Sequence, residues 1–408
     1  MTVRREQDQE PMATKHTSRL SRRRRIVYGV IVTTVTTILL LVALESGASF
    51  LVTLPSKSFV RDAQLNHTWP PNGSVTHSEW IKDNPDFPEA YVHHYNAQGW
   101  LENYDIDEHK PAGTYRVFYL GDSFTEGCVP MERSVSSQVE TFLNQTYGPD
   151  KRFEVINTGT SSYSPVLYYI LLRYYIIKYK PDVIVVNVDM SDDFDDWKYR
   201  QTLVSDGEGN PVAAPPRELY FSQYIDTLEG AVRAGPVSRT QLFLAEKSHL
   251  YNLISNMRRR PAPRFDLAQP KSDFLYARWA WCHENWDAQT TENVQFTMDI
   301  LGRLADYCKE QRIKMLLTGV PHYQQFQTEE RGSPILSDRP HRELAALAAR
   351  KEVLYFNSWK ALREKIEGTA QTTYYYYGNM HFNPRGNDLW AQAHIDAWQN
   401  FRSTLLPP

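Results

Sequence analysis

Seven residues, Gly121-Asp122-Ser123-Phe124-Thr125-Glu126-Gly127, follow directly on an apolar run, Tyr115-Arg116-Val117-Phe118-Tyr119-Leu120. The run reads as a buried strand. A serine just past its carboxyl end stands where open parallel sheets present groups to a ligand. Glycine on either side allows a sharp turn and close approach of a substrate. Far along the chain, Met380-His381-Phe382-Asn383-Pro384 opens a helical pattern. An early serine and a late histidine suit nucleophilic acyl chemistry, in which the imidazole takes the hydroxyl proton as the oxygen attacks an ester carbonyl. Ser123 and His381 are therefore the candidate nucleophile and base.

The elements that must bring them together follow a regular rhythm. After the Ser123 turn a helix is expected over about 134–144, then a strand, Phe153–Asn157, ending in Thr158-Gly159-Thr160. A helix over about 165–179 leads to a third strand, Asp182–Val188. In that helix Leu167, Ile170, Leu171, Tyr174 and Tyr175 recur at helical spacing and read as core. The rhythm breaks over about 195–290, read as an insertion packed over the carboxyl edge of the sheet. It resumes with a helix (about 292–311), a strand (313–318), a helix (340–351), a strand (353–357) and a last helix after His381. Alternating elements with continuous apolar strands predict an α/β fold, a mostly parallel sheet covered by helices on both faces.

The order of these motifs resembles the SGNH, or GDSL-like, hydrolases, especially membrane-anchored bacterial members, over roughly Val92 to Phe401. The lead-in Asn96-Ala97-Gln98-Gly99-Trp100 is similar as well. The resemblance implies a three-layer, flavodoxin-like α/β/α sandwich with Ser123 as nucleophile and His381 as base. It places the oxyanion hole at the N–H groups of Ser123 and Gly159. Two positions depart from the family pattern. Asp192, in Met190-Ser191-Asp192-Asp193-Phe194, stands where an asparagine completes the hole. A carboxylate there repels an oxyanion unless it is protonated, bound to a cation or turned away. Burial beside Asp189, Asp193, Asp195 and Asp196 is one way to keep it neutral; a solvated acidic turn outside the site is the other reading. Gly378 stands where an aspartate orients the histidine, which leaves a backbone carbonyl near Gly378, or the Asn379 side chain, as the possible orienting group.

Lesser candidates are His322, at the end of the fourth strand, and Trp281 and His283, in the aromatic stretch Tyr276–Trp286. Each reads either as a substrate contact or as packing. The 25 Tyr, 17 Phe and 10 Trp are mostly expected inside. A net charge of −3 excludes a nucleic-acid surface spread over the whole chain. No Cys/His spacing resembles a zinc site, and no metal or cofactor is expected. Of Cys128, Cys282 and Cys308, only a Cys282–Cys308 bridge is a candidate, with free buried thiols the alternative.

Location is set by the N-terminus. Arg22-Arg23-Arg24-Arg25 precedes an uncharged apolar run, Ile26–Leu44, closed by Glu45. Such a run spans about 28 Å as a helix, the hydrocarbon thickness of a bilayer. The arginines predict a cytoplasmic tail over 1–25, an uncleaved anchor over 26–44 in preference to a signal peptide, and a linker and lead-in over 45–88. The hydrolase domain, 89–408, then lies outside the cytoplasm. The expected activity is serine-dependent hydrolysis or transfer of an O-acetyl group on an envelope polysaccharide. The alternatives are a weak or inactive relative that binds glycan or scaffolds an envelope assembly, and a lipid esterase. Asn66, Asn72 and Asn144 begin glycosylation sequons, which matter only where the host glycosylates secreted proteins.

Overall fold

The computed structural model describes residues 21–51, 59–77, 90–148, 151–216, 244, 247–258, 278–327, 336–376 and 379–407. The chain divides into two compact units, Met1–Leu54 with Phe243–Arg260, and Pro55–Leu242 with Pro261–Pro408.

In the first unit, Arg22–Ser49 is one 28-residue helix, long and apolar enough to cross a membrane. The Ser21 hydroxyl accepts from Arg24 N and caps it. A second helix, His249–Arg258, begins where the Glu45 carboxylate accepts from Ser248 Oγ and the His249 and Leu250 N–H groups. The two N–H groups lie in the first turn of the helix, where a carboxylate acceptor is favourable.

The second unit begins with two ladders. Strand β1 (Val60–Asp62) pairs with β2 (Asn66–Thr68), and β3 (Ser74–His77) with β4 (Tyr91–His94), both antiparallel. Part of the expected linker is thus folded. Trp69 stacks on Tyr95 at 4.7 Å in a small core with Val75 and Leu101. The central sheet contains β5 (Thr114–Leu120), β6 (Arg152–Asn157) and β7 (Val183–Asp189). A short hairpin, β8 (Val204–Ser205) with β9 (Pro211–Ala213), follows helix Asp192–Arg200. Strands β10 (Lys314–Val320) and β11 (Leu354–Phe356) complete the sheet. Its order is β11-β10-β7-β5-β6, all parallel. This is the flavodoxin-like doubly wound order, whose switch point lies between β5 and β7.

Alternate strand residues feed two cores. Phe118, Leu120, Ile184, Val186 and Leu317 enter one, with Leu167 and Ile170 of helix Pro165–Ile170, Leu301 of helix Ala288–Glu310 and Leu344 of helix Arg339–Lys351. Val117, Tyr119, Val155, Val185 and Leu316 enter the other, with Val139 of helix Val135–Tyr147, Leu362 of helix Ser358–Ile366 and Trp390 of helix Pro384–Asn400. The period-two alternation of a strand thus builds three layers. The expected fold and element order are observed, while helix Ser358–Ile366 and the hairpins lacked a clear sequence pattern. In the supposed insertion, residues 217–243, 245–246 and 259–277 lie outside the described residues.

Two readings left open by the sequence are decided. Cys128, Cys282 and Cys308 are all buried and free, so no Cys282–Cys308 bridge forms. The Asn144 side chain is engaged with β6, accepting from Phe153 N at 3.0 Å and donating to its carbonyl at 2.9 Å, which leaves the amide unsuited to carry a glycan.

One buried ion pair holds the base of the sheet. Arg116, 1% exposed, donates from Nε to Glu154 Oε2 at 2.7 Å and from Nη1 to the carbonyls of Asp107 and Tyr179. Removing one partner leaves the other charge uncompensated. We predict that Glu154→Ala lowers the unfolding free energy by about 3 kcal/mol or more, measured by denaturant titration; a change below about 0.5 kcal/mol, the ordinary surface-substitution range, contradicts this.

Candidate active site

The turn after β5 is shaped by close backbone approach. A Cβ at Gly121 would lie 2.0 Å from Thr125 Oγ1, and one at Gly159 would lie 2.3 Å from Glu126 N. Only glycine fits at either place. Gly127, at φ 90°, closes the short helix Ser123–Glu126 in a conformation that L residues rarely adopt. Asp122 caps that helix, its Oδ1 accepting from Phe124 N at 2.9 Å. Ser123 is thereby held half-buried at the first helical position. Its own N–H has no hydrogen-bond partner among the described residues and is open to an oxyanion.

His381 comes from the loop before helix Pro384–Asn400. Its Nε2 lies 2.7 Å from Ser123 Oγ, and its Nδ1 lies 2.6 Å from Asn379 Oδ1. The same Oδ1 accepts from His381 N at 3.0 Å. A backbone N–H only donates, so the Asn379 atom facing it is the amide oxygen. Nδ1 therefore carries the proton, and Nε2 presents its lone pair to the serine hydroxyl. Phe124 covers the imidazole at 4.7 Å between centroids. Burial lowers the His381 pKa from 6.5 to about 4; Asp189 opposes this, while Arg278 and His322 add to it. The imidazole is neutral, as a base must be, across ordinary pH.

Ser123, His381 and Asn379 thus meet as a hydrogen-bonded chain. Gly378 lies outside the described residues. At Gly159 the arrangement departs from expectation. Its N–H donates to Asn157 Oδ1 at 3.0 Å, an Asx-type turn that occupies the expected oxyanion donor. Asp192 does not stand in a solvated turn: Asp189, Asp192, Asp193, Asp195 and Asp196 are all buried. Asp192 Oδ2 accepts from Tyr168 Oη and Asp189 N, each at 3.1 Å. Burial first, then Asp189 and Asp122, raises its pKa well above the usual range, which favours the neutral carboxyl. Burial and Asp189 raise Asp122 likewise.

Of the three candidate substrate contacts, two are placed in the interior. His322 is fully buried and bonded through Nε2 to Asp189, which places it behind the site. Burial would raise Asp189, but the His322 charge and hydrogen bond, with Ser191, outweigh it and hold the carboxylate ionised. Trp281 is fully buried core. His283 is half-buried on the same turn. Sequence reasoning missed Asp122, Asp189 and Arg278. The Arg278 charge bears on Asp122, Asp189 and His381, and its Nε is buried without a hydrogen-bond partner among the described residues. Charged residues beside the motif were the available signal.

No family model and no curated protein matches the chain. Among solved structures, an acetylxylan esterase from Geobacillus stearothermophilus, in a catalytic mutant, is similar at 12% identity and a TM-score of 0.40, over 69% of this chain and 93% of that one. A two-domain esterase active on acetylated mannans is similar at 10% identity and a TM-score of 0.39, over 72% and 51%. A putative GDSL-like lipase from Parabacteroides merdae is similar at 11% identity and a TM-score of 0.37, over 69% and 94%. With TM-scores below 0.5, these likenesses add nothing to the fold read from the sheet itself.

The amide at Asn379 fixes the tautomer but adds no negative charge to steady an imidazolium. We predict that Asn379→Ala lowers kcat/KM for an activated ester about 10- to 100-fold, by freeing the ring. Asn379→Asp should raise the acid limb of the pH–rate profile by about one unit or more, because an adjacent carboxylate favours the charged imidazole. An unchanged profile in both variants shows that Asn379 does not orient the base.

Proposed function

We propose that the second unit is a serine-dependent acyl-ester hydrolase of the SGNH type. The observation that carries this reading is the Ser123–His381–Asn379 chain, with a lone pair aimed at the hydroxyl. Ser123 Oγ attacks the acyl carbon as its proton passes to His381 Nε2. The Ser123 N–H receives the oxyanion. Collapse expels the alcohol, which takes the proton from His381, and leaves an acyl-serine. Water, activated by the same imidazole, releases the acid; a sugar hydroxyl in its place would make the reaction a transfer.

The proposed substrate is an O-acetyl group on an envelope polysaccharide outside the cytoplasm. The arginine-flanked apolar helix supports an N-terminus in the cytoplasm and a membrane anchor. The charge of half-buried Arg278, which bears on His381, suits a polar substrate better than a fatty acyl chain. A second reading, a weak or inactive glycan-binding protein, is favoured by the occupied Gly159 N–H and by Asp192 in place of asparagine.

We predict hydrolysis of p-nitrophenyl acetate that falls at least about 1000-fold in Ser123→Ala and in His381→Ala. Longer acyl chains should be poorer substrates; a preference for them would favour the lipid esterase. Because His381 titrates at about 4, kcat/KM should hold as pH falls from 7 to about 5 and drop by half near 4. A half-drop near 6.5 would indicate a solvated imidazole. If wild type neither turns over this ester nor labels with a fluorophosphonate, the binding reading replaces the catalytic one.

A further inference from the structure

The underside of helix Ser123–Glu126 carries a cluster that acyl transfer does not use. Glu126, 3% exposed, meets the β3–β4 hairpin, which bears His77 on one strand and His93 on the other. His93 is fully buried, and its Nε2 lies 2.7 Å from the Val129 carbonyl. A carbonyl only accepts, so Nε2 carries a proton. In the neutral ring Nδ1 then turns its lone pair toward Glu126 Oε1, 3.4 Å away, an oxygen that already accepts from Tyr95 Oη at 2.8 Å. Glu126 Oε2 accepts from Ser161 N at 3.2 Å and from Ser161 Oγ at 3.0 Å. Two acceptors face each other in a buried place, which calls for a proton or a cation between them. The His77 ring lies 4.7 Å from that of His93, and one donor atom from each of His77, His93 and Glu126 falls within 4.8 Å of the others.

We propose that His77, His93 and Glu126 bind a divalent transition-metal ion, with zinc the best fit to two imidazoles and a carboxylate. In a tetrahedral zinc site, bonds of about 2.0–2.1 Å set neighbouring ligand atoms about 3.3–3.4 Å apart. The His93–Glu126 separation of 3.4 Å is that edge. His77, half-buried at the end of β3, has a gap of at most 4.8 Å to close, and water takes the fourth position. The outer partners are those that metal ligands use: a backbone carbonyl on the far nitrogen of His93, and hydroxyl and amide donors on Glu126. The ion is structural. It ties the hairpin to the helix that carries Ser123, within one helical turn of the nucleophile. An imidazolium–carboxylate pair is the competing arrangement, and it has no need of His77.

The test uses the untagged full chain, purified without chelator. Elemental analysis should find about one zinc per chain, and a strong chelator should lower Tm by about 3 °C or more, restored by added zinc. His77→Ala keeps the His93–Glu126 contact. It should fold, lose the zinc and melt where chelated wild type melts, with no response to chelator. Ser123→Ala should retain the metal. Wild type whose Tm ignores both chelator and zinc, and which takes up no zinc, overturns the proposal in favour of a plain ion pair. Equal zinc in wild type and His77→Ala also overturns it, because the ion then sits elsewhere.

Discussion

The site depends on how closely the backbone packs where β5, β6 and β7 end. The nucleophile helix touches Gly121 on one side and Gly159 on the other, with no room for a Cβ at either. Polar side chains from the neighbouring strands complete the hold. Asn187 Nδ2 donates to Thr125 Oγ1 at 2.9 Å, and Asn157 Nδ2 donates to the Thr125 carbonyl at 3.0 Å. Thr160 N donates to the Gly121 carbonyl at 3.1 Å, which ties the β6 loop to the β5 turn. Buried groups satisfied in this way over-determine the position of Ser123, as preorganised catalysis demands.

The same packing explains why the electrostatics are unusual. Several carboxyls are buried behind the turn, and low-dielectric surroundings favour their neutral forms. Asp122, Asp192 and Asp193 are raised well above the ordinary range, and Asp196 is pushed up to about 7 despite its bonds from Ser164, Val166 N and Thr297. Asp189 alone among the shifted acids of this cluster is lowered, because His322 and Ser191 bond to it. The imidazole base is depressed by the same burial. An amide partner suits this setting. It orients the ring without adding another negative charge to a crowded, buried region.

The N-terminal ladders belong to this arrangement. The hairpin that bears His77 and His93 meets Glu126, and His67 bonds to the Ser161 carbonyl at 2.9 Å. Tyr163 Oη donates to the His67 carbonyl at 2.6 Å. Residues that read as a lead-in therefore buttress the β6 loop and the nucleophile helix.

Much of this was legible in the linear chain. Continuous apolar strands alternating with amphipathic helices determine a parallel sheet, because their periodicity allows no other burial. Ser123 and His381 were legible because they follow or precede elements that end at one edge. The apolar run Ile26–Leu44 was legible from its length and lack of charge, and it lies within the helix Arg22–Ser49. What remained hidden depends on distance in space rather than in sequence. Of the two orienting groups the sequence leaves open, the Asn379 amide is the one bonded to His381, while Gly159 donates its N–H to Asn157 and His322 is buried against Asp189. The acidic run, which the sequence leaves open between a buried cluster and a solvated turn, is interior, and the cysteines stay free. Side-chain direction, burial and local dielectric are set by residues from distant segments, so only the tertiary structure decides which polar groups face the substrate and which are spent holding the site together.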